Sequence, residues 1–502
     1  PRLRKGKTAY MTIVHRVLFP HPIADLDEYL TRGGGQGLEA ARKVEPAALI
    51  SEIEASGLRG RGGAGFPTGT KWRTVAENAS AVLQTTVVVN GAEGEPGTFK
   101  DRTILRNNPF QVVEGALIAA RAVGAVTVIF ALKKSFATEV GRLRQAIEEI
   151  AAAGWSEGME IEIFEGPNEY LYGEETALLE TLDGRYPFPR IAPPFRRGVT
   201  EVVDTVSEAT SGSGMSAPIE MAGEGSNSVA PPTLANNIET LANVPRIIAR
   251  GADWFRTEGT PESPGTIVCT VTGSTQRHGV GEVMLGTPLR EVIEEIGGGT
   301  QDGRRIKAVL PGVAQGFIPA SLLDTPVSYE GLAGIGSGLG SAGFMVFDEA
   351  DDMTAVAAGV SRFLAIESCG QCTPCKQDGI QLAGLLDKVC HSDAGDADMA
   401  TIQKRVDTVA DGARCYLAQQ HQNVLHSLLE LYGDEVEAHL DGRATGVEPQ
   451  LIAELVDIAD GVATWDEHHR DKQPDWSYDE EDSGQVPAER YGEHRSPQSL
   501  PE

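Results

Sequence analysis

Gly57-Leu58-Arg59-Gly60-Arg61-Gly62-Gly63-Ala64-Gly65-Phe66-Pro67-Thr68-Gly69 contains a formal G-x-G-x-x-G at Gly60, Gly62 and Gly65. A dinucleotide-binding Rossmann turn needs a buried strand before that triplet and a helix opening directly after it. Here the preceding residues 46–55 are helical in pattern, with apolar side chains at 49, 50 and 53, and Pro67 and Gly69 interrupt the stretch after the triplet. The match is therefore accidental as a Rossmann fingerprint, and the G-x-x-x-x-G-K spacing of a P-loop is absent. The physics of the loop remains. Glycines expose backbone N–H groups without side-chain obstruction, and Arg59, Arg61 and Lys71 supply positive charge, a combination suited to a phosphate or pyrophosphate. A flexible linker would not hold Phe66, Pro67 and Trp72 so densely.

Outward from this loop, helical and strand patterns alternate through residues 46–250, as expected of an α/β domain. The most apolar stretch, 116–132, is broken by Arg121 and Gly124, so it reads as a buried helix running into a buried strand rather than a membrane span. Residues 196–230 are rich in Ser, Gly, Ala and acids with little periodicity and read as an inserted loop. Residues 1–45 read as a poorly ordered N-terminal arm. A second unit over 264–350 has short β-rich runs at 266–271 and 305–310 flanking one amphipathic helix near Leu289–Ile296, a composition that suits a small ubiquitin-like β-grasp module. From 353 to 441 the apolar spacing is helical. The stretch 463–502 holds Asp479-Glu480-Glu481-Asp482 and several prolines and reads as an acidic tail.

A chain of 502 residues, 41% of them hydrophobic, can build sizeable cores in two to four domains of about 100–200 residues each. Its formal net charge of −29 argues against a nucleic-acid partner, whose phosphates select Lys and Arg clusters. Arg2, Arg4, Lys5 and Lys7 are not followed by an apolar run, which predicts no secretory signal. The expected location is the cytoplasm, or the inner face of a membrane through a complex.

Three of the six cysteines sit in one phrase, Ser368-Cys369-Gly370-Gln371-Cys372-Thr373-Pro374-Cys375-Lys376, and Cys415 follows further on. Two-residue spacers let the backbone curl and turn successive sulfurs to one point. A remote fourth thiolate completes the ligand count of a [4Fe–4S] cluster. Structural zinc more often uses two separated Cys/His pairs, and a disulfide framework needs a denser cysteine set than this chain offers. Iron–sulfur is the favoured reading, with a zinc-stabilised scaffold as the competing one. Cys269 and Cys390 are expected to be buried small apolar residues.

Five motifs occur in order: GLRGRGGAGFPTGTKW (57–72), NGAEGEPGTFKDR (90–102), YLYGEETALLETLDG (170–184), PPTLANNIETLANVP (231–245) and ESCGQCTPCK (367–376). Together they resemble the NADH-binding flavoprotein subunit of respiratory complex I and its relatives in NAD-reducing hydrogenases and NAD-dependent formate dehydrogenases, over residues 45–440. The resemblance implies an FMN-binding α/β domain, a β-grasp domain and a C-terminal four-helix bundle holding a [4Fe–4S] cluster on Cys369, Cys372, Cys375 and Cys415. It places Gly62, Gly63, Gly65, Lys71, Asn90, Glu93, Asn236, Asn237 and Thr240 on FMN, with Tyr170, Gly173 and Glu174 beside the flavin. Asn236 and Asn237 in isolation also suit helix capping. The resemblance assigns Phe66, Glu95, Glu175 and Phe195 to NADH.

The implied activity is that of an NADH dehydrogenase subunit, moving hydride between NAD(P)H and FMN and passing single electrons to the cluster. The implied partners are a thioredoxin-like [2Fe–2S] subunit and a larger iron–sulfur or catalytic subunit. Three positions depart from the family pattern: Thr74 replaces an aromatic, Ala92 an Asp and Ala192 a Lys. Each departure removes a stacking or charge-assisted contact worth on the order of 0.5–3 kcal/mol. The alternative is therefore an FMN/[4Fe–4S] relay whose flavin meets another redox protein instead of a nicotinamide.

Overall fold

The computed structural model describes residues 13–80, 83–190, 232–478 and 480–492. In chain order the N-terminal unit holds α1 (Leu26–Thr31), α2 (Gln36–Ala41), α3 (Pro46–Ser56), α4 (Thr68–Glu77), β1 (Thr86–Gly91), α5 (Lys100–Asn107), α6 (Pro109–Val123), β2 (Thr127–Lys133), α7 (Ala137–Ala152), β3 (Glu160–Gly166), α8 (Glu175–Leu182), β4 (Thr233–Asn237), α9 (Ile238–Arg250) and α10 (Ala252–Phe255). The strands form one parallel sheet in the order β3-β2-β1-β4.

Helix α6 shows how local sequence fixes an element. Asn108 caps it by accepting from the Gln111 N–H, Pro109 fits the first turn, and Gly124 ends it in the left-handed region at φ 71°. Every residue of α6 except Arg121 is buried. A helix apolar on all sides belongs inside, and this one lies between the sheet and α9. Along β1, Val87 and Val89 enter that core. Val88 points to the opposite face, where it meets Ala235, Leu178 and Leu179 under α8.

The described part of the N-terminal arm is folded rather than loose. Ile23 and Tyr29 are buried, and the Tyr29 hydroxyl donates to Glu114 Oε2 at 2.7 Å. Its apolar residues are too sparse to show a period, yet each finds a place on the main core.

The second unit contains β5 (Thr266–Gly273), β6 (Gly279–Met284), α11 (Leu289–Val292) continued by a wider turn over Ile293–Gly297, β7 (Ile306–Pro311), β8 (Ile318–Pro319), α12 (Tyr329–Ala333) and β9 (Gly343–Asp348). Its sheet order is β6-β5-β9-β7-β8, with β5 and β9 parallel and the other pairs antiparallel. Period-two alternation serves two cores. Val309, Phe344 and Val346 pack within the unit, whereas Ala308, Leu310, Met345 and Phe347 pack against the helices that come next in the chain.

Those helices are α13 (Met353–Glu367), α14 (Thr373–Cys390), α15 (Asp396–Thr408), α16 (Leu417–Leu431) and α17 (Gly433–Leu440). The chain then forms a hairpin, β10 (Leu455–Ala459) with β11 (Val462–Trp465), and ends its described part at α18 (Pro487–Arg490). Composition suggests an acidic tail after residue 463, but His469, Lys472, Asp475 and Trp476 are buried there. Glu480, Glu481 and Asp482 are exposed, and a few large or charged side chains, Asp475 among them, anchor the segment inward. No helix among the described residues is long and apolar enough to cross a membrane.

Candidate functional site

The chain leaves β1 for β2 and β3 on one side and returns through β4 on the other. An open parallel sheet offers a crevice at the carboxyl ends of its strands where the order reverses. Register sets Asn90 of β1 beside Asn237 of β4 at that reversal. The Gly-rich loop, the 170–173 turn and the start of α9 converge on the same end.

The side chains there are held as follows. Lys71 Nζ donates to Glu175 Oε2 at 2.7 Å and to the Ala235 carbonyl at 2.9 Å. Asn90 Nδ2 donates to the Gly173 carbonyl at 2.9 Å, and Asn90 Oδ1 accepts from the Ala92 N–H at 3.1 Å. Asn236 Oδ1 accepts from Trp72 Nε1 at 2.8 Å. Asn237 caps α9 by accepting from the Glu239 N–H at 3.0 Å, and its amide donates to Asp101 Oδ2 at 2.6 Å. Thr240 Oγ1 accepts from the Arg61 N–H at 2.8 Å, and Glu174 caps α8 through the N–H groups of Thr176 and Ala177. Glu93 binds Arg102 at 3.0 Å. The Tyr170 hydroxyl donates to Glu95 Oε2 at 2.5 Å, and Gln420 Nε2 donates to Tyr170 at 2.9 Å. Burial pushes the Glu95 carboxyl above the usual range against the pull of its Tyr170 hydrogen bond, and burial likewise raises Glu174.

Two residues differ from the expectation. Arg61 is 1% exposed, and its guanidinium donates to the Pro264 and Thr266 carbonyls. Arg59 donates to the Gly65 carbonyl and lies 4.1 Å over the Tyr329 ring. Both arginines thus brace the loop instead of facing a phosphate, which leaves Lys71 as the loop's cation at the crevice. Tyr329, from the second unit, was not legible in the sequence: its hydroxyl donates to the Gly60 carbonyl at 2.7 Å. A Cβ on Gly65, which has φ 62°, would lie 2.4 Å from the Tyr329 ring. Gly63 is the opposite case. A Cβ there would meet nothing closer than 3.9 Å, so the loop leaves open space beside its backbone. That space, the Lys71 ammonium and the carboxamides of Asn90, Asn236 and Asn237 fit a phosphorylated ligand rich in hydroxyls. Phe195, Ala192 and the 196–230 insertion lie outside the described residues. Thr74 bonds its own helix through the Thr70 carbonyl, and Ala92 is buried under Gly173.

The second centre is a pocket lined by Cys369, Cys372, Cys375 and Cys415 together with Leu171 and Ser368. Cys372 stands just before α14, whose first turn carries Pro374 and Cys375. Gly370 takes φ 82°, so the loop reverses between the first two sulfurs. Lys376 turns away from the pocket, and its ammonium donates to the carbonyls of Ala365, Ile366 and Ser368, closing the end of α13. Burial pushes the Cys375 thiol up to about 11 and also raises Cys369 and Cys415. Such thiols become thiolates only when a bound metal displaces the proton. Among the described residues no three His, Cys, Asp or Glu side chains gather to hold a single metal ion. Four thiols lining one pocket supply the ligand count of a [4Fe–4S] cluster. Cys269 and Cys390 are fully buried in separate cores.

The 170–173 turn joins the two centres. Tyr170 reaches Glu95 on one side, and the adjacent Leu171 lines the cysteine pocket.

Residues 53–246 match the family described as the Nuo51 FMN-binding domain, and residues 355–439 match the NADH-ubiquinone oxidoreductase-F iron-sulfur binding region. The NADP-reducing hydrogenase subunit HndC of Solidesulfovibrio fructosivorans is 36% identical over 429 residues, spanning 83% of this chain and 81% of its own. The NADH-quinone oxidoreductase F-type subunit, copy 2, of Rhizobium meliloti is 34% identical over 428 residues, spanning 83% of this chain and 95% of its own. Among solved structures, an NAD+-reducing [NiFe]-hydrogenase in the H2-reduced state aligns with a TM-score of 0.70 at 31% identity, over 84% of this chain and 67% of that one.

Proposed function

This chain belongs to the family of the F-type subunits of NADH-quinone oxidoreductase and their hydrogenase relatives, and we propose that it exchanges hydride with NAD(P)H at an FMN and delivers electrons to a [4Fe–4S] cluster within a multi-subunit redox complex. The observation that carries this reading is the 170–173 turn, which touches the switch-point crevice through Glu95 and Asn90 and the cysteine pocket through Leu171. When bound, FMN supplies the two-electron to one-electron conversion, and no protein acid or base is needed for the hydride itself.

The protein's part is placement. Lys71 and the glycine backbone at Gly62 and Gly63 would hold the phosphate, while Asn90, Asn236, Asn237 and Thr240 would line the ribityl chain. Tyr170, Gly173, Glu174 and Glu93 would border the flavin. Glu95, Glu175 and Phe66 would orient the nucleotide, with Phe195 added on the adenine side. Cys369, Cys372, Cys375 and Cys415 would ligate the cluster.

Finer features of the architecture agree with the same reading. The order β6-β5-β9-β7-β8 around a parallel central pair supports a ubiquitin-like β-grasp unit over 264–350. Helices α13 to α16 support a four-helix bundle around the cysteines. The partners in this reading are a thioredoxin-like [2Fe–2S] subunit and a larger iron–sulfur or catalytic subunit.

An anaerobic titration followed by visible absorbance tests the reading. NADH or NADPH is expected to bleach the flavin band and then the broad cluster absorbance, with iron and inorganic sulfide present by analysis. A chain carrying both groups that neither nucleotide reduces would be a relay fed by another redox protein. A chain with zinc and no sulfide would overturn the cluster.

A further inference from the structure

The C-terminal segment beyond the hairpin, residues 466–478 and 480–492, lies outside both family matches, the later of which ends at 439. It is packed directly on the cysteine loop. The Ala488 N–H donates to the carbonyl of Cys369 at 2.8 Å. Val486 sits so close over Gly370 that a Cβ there would lie 2.3 Å from the Val486 Cβ. Trp476 Nε1 donates to the Ile366 carbonyl at 2.8 Å, and its ring packs 5.8 Å from Phe188. Tyr491 stacks on Tyr186 at 4.9 Å. Asp475, fully buried, binds both Arg490 at 2.5 Å and the Ser483 N–H at 3.1 Å, which ties the two stretches together.

The same segment brings charge. Lys472 Nζ lies 2.7 Å from Glu367 Oε1, and His469 Nε2 lies 3.0 Å from the same oxygen. The other oxygen, Glu367 Oε2, accepts from the Tyr170 N–H at 3.3 Å. Glu367 stands two residues before Cys369, so one carboxylate ties together the C-terminal segment, the turn between the two centres and the start of the cysteine phrase. Lys472 and Glu367 are each at most 3% exposed.

We propose that this C-terminal segment is an outer wall behind the cluster site: Val486 and Ala488 cover the Cys369–Gly370 backbone and hold the cysteine loop in place, and Lys472, acting through Glu367, is a positioning residue that biases the cluster toward its reduced form. The segment covers the Cys369 end of the loop, while Gly370, Gln371 and Cys372 remain half-buried. Exposure of a cluster to water and the net charge around it are two of the factors that set its potential and its lability. Lys472 offsets the charge of Glu367, which stands two residues before Cys369, and without it an uncompensated carboxylate would disfavour a nearby centre that gains negative charge on reduction. The inference rests on the cluster reading above.

The full-length chain with its FMN and cluster tests both halves. Val486→Gly and Ala488→Pro, the latter removing the N–H to Cys369, are expected to lose iron to a ferrous chelator in air several-fold faster than the parent while retaining parental FMN content. Loss at the parental rate in both variants overturns the wall. Lys472→Met is expected to lower the cluster midpoint in an EPR-monitored redox titration, and Lys472→Arg to restore it. An unchanged midpoint in Lys472→Met overturns the electrostatic half. Should Lys472→Met fail to accumulate, Lys472→Gln is read in the same titration, and a parental midpoint there overturns the electrostatic half. A parent chain without iron and sulfide would instead be a failure of the cluster assignment itself, which metal analysis detects first.

Discussion

His421 shows what a single buried side chain contributes. Its Nε2 meets the Ser361 hydroxyl at 2.6 Å, it is 1% exposed, and burial alone pushes its pKa down to about 4. An unfolded chain would protonate the same ring near 6.5. Between those values the unfolded state binds the extra proton, so stability is fully present above about 6.5 and is lost as pH falls toward 4. The loss is on the order of 3 kcal/mol at its limit. Denaturant unfolding at a series of pH values should show this slope in the parent and a flatter one in His421→Gln. An equal slope in both would assign the acid sensitivity to other groups. At this same scale the sequence misjudged Arg61. A cation inside a glycine loop looks like a phosphate ligand, yet carbonyls from a distant segment, Pro264 and Thr266, claim it. Nothing local to residues 57–69 signals that.

Among the elements, α6 and α9 cross at a contact that admits no side chain. Pro245 within α9 has no N–H to give the Leu241 carbonyl one turn back, and Gly115 of α6 sits against that carbonyl. A Cβ on Gly115 would lie 2.0 Å from the Leu241 oxygen. Gly115→Ala is therefore expected to force the helices apart and to cost about 1–3 kcal/mol, read as a lower thermal midpoint by circular dichroism. A midpoint at the parental value would mean that the crossing can relax. Much at this scale was legible from local pattern. The helix at 46–55, the strand runs near 266 and 305, and the helix-to-strand reading of 116–132 depend on periodicity and caps, and the elements stand where those signals put them. The folded N-terminal arm and the segment after 463 were not legible, because their anchors are isolated residues with no repeat.

Across the whole molecule, long-range ion pairs tie the C-terminal third to the first sheet. Glu454, just before the hairpin, binds Lys133 at 2.5 Å and lies 3.8 Å from Arg102, itself paired with Glu93 at the crevice. Lys133 has no exposure at all. Glu454→Ala would leave that ammonium buried without its carboxylate, a change that typically costs about 3–5 kcal/mol. Urea unfolding should register it, and a loss below about 1 kcal/mol would place the pair among weak surface bridges. The chemistry of the two centres is already written along the chain. Cysteine spacing, the glycine loop and the ordered motifs are short-range facts, because a ligand set or a turn is built from neighbouring residues. Which groups face those centres depends on the folded packing alone. The switch point between β1 and β4, Tyr329 beneath the glycine loop, Glu367 between both centres and the C-terminal wall over Cys369 all join residues far apart in the chain. Such contacts arise from how separate apolar faces close on one another, and no periodicity along the chain encodes them.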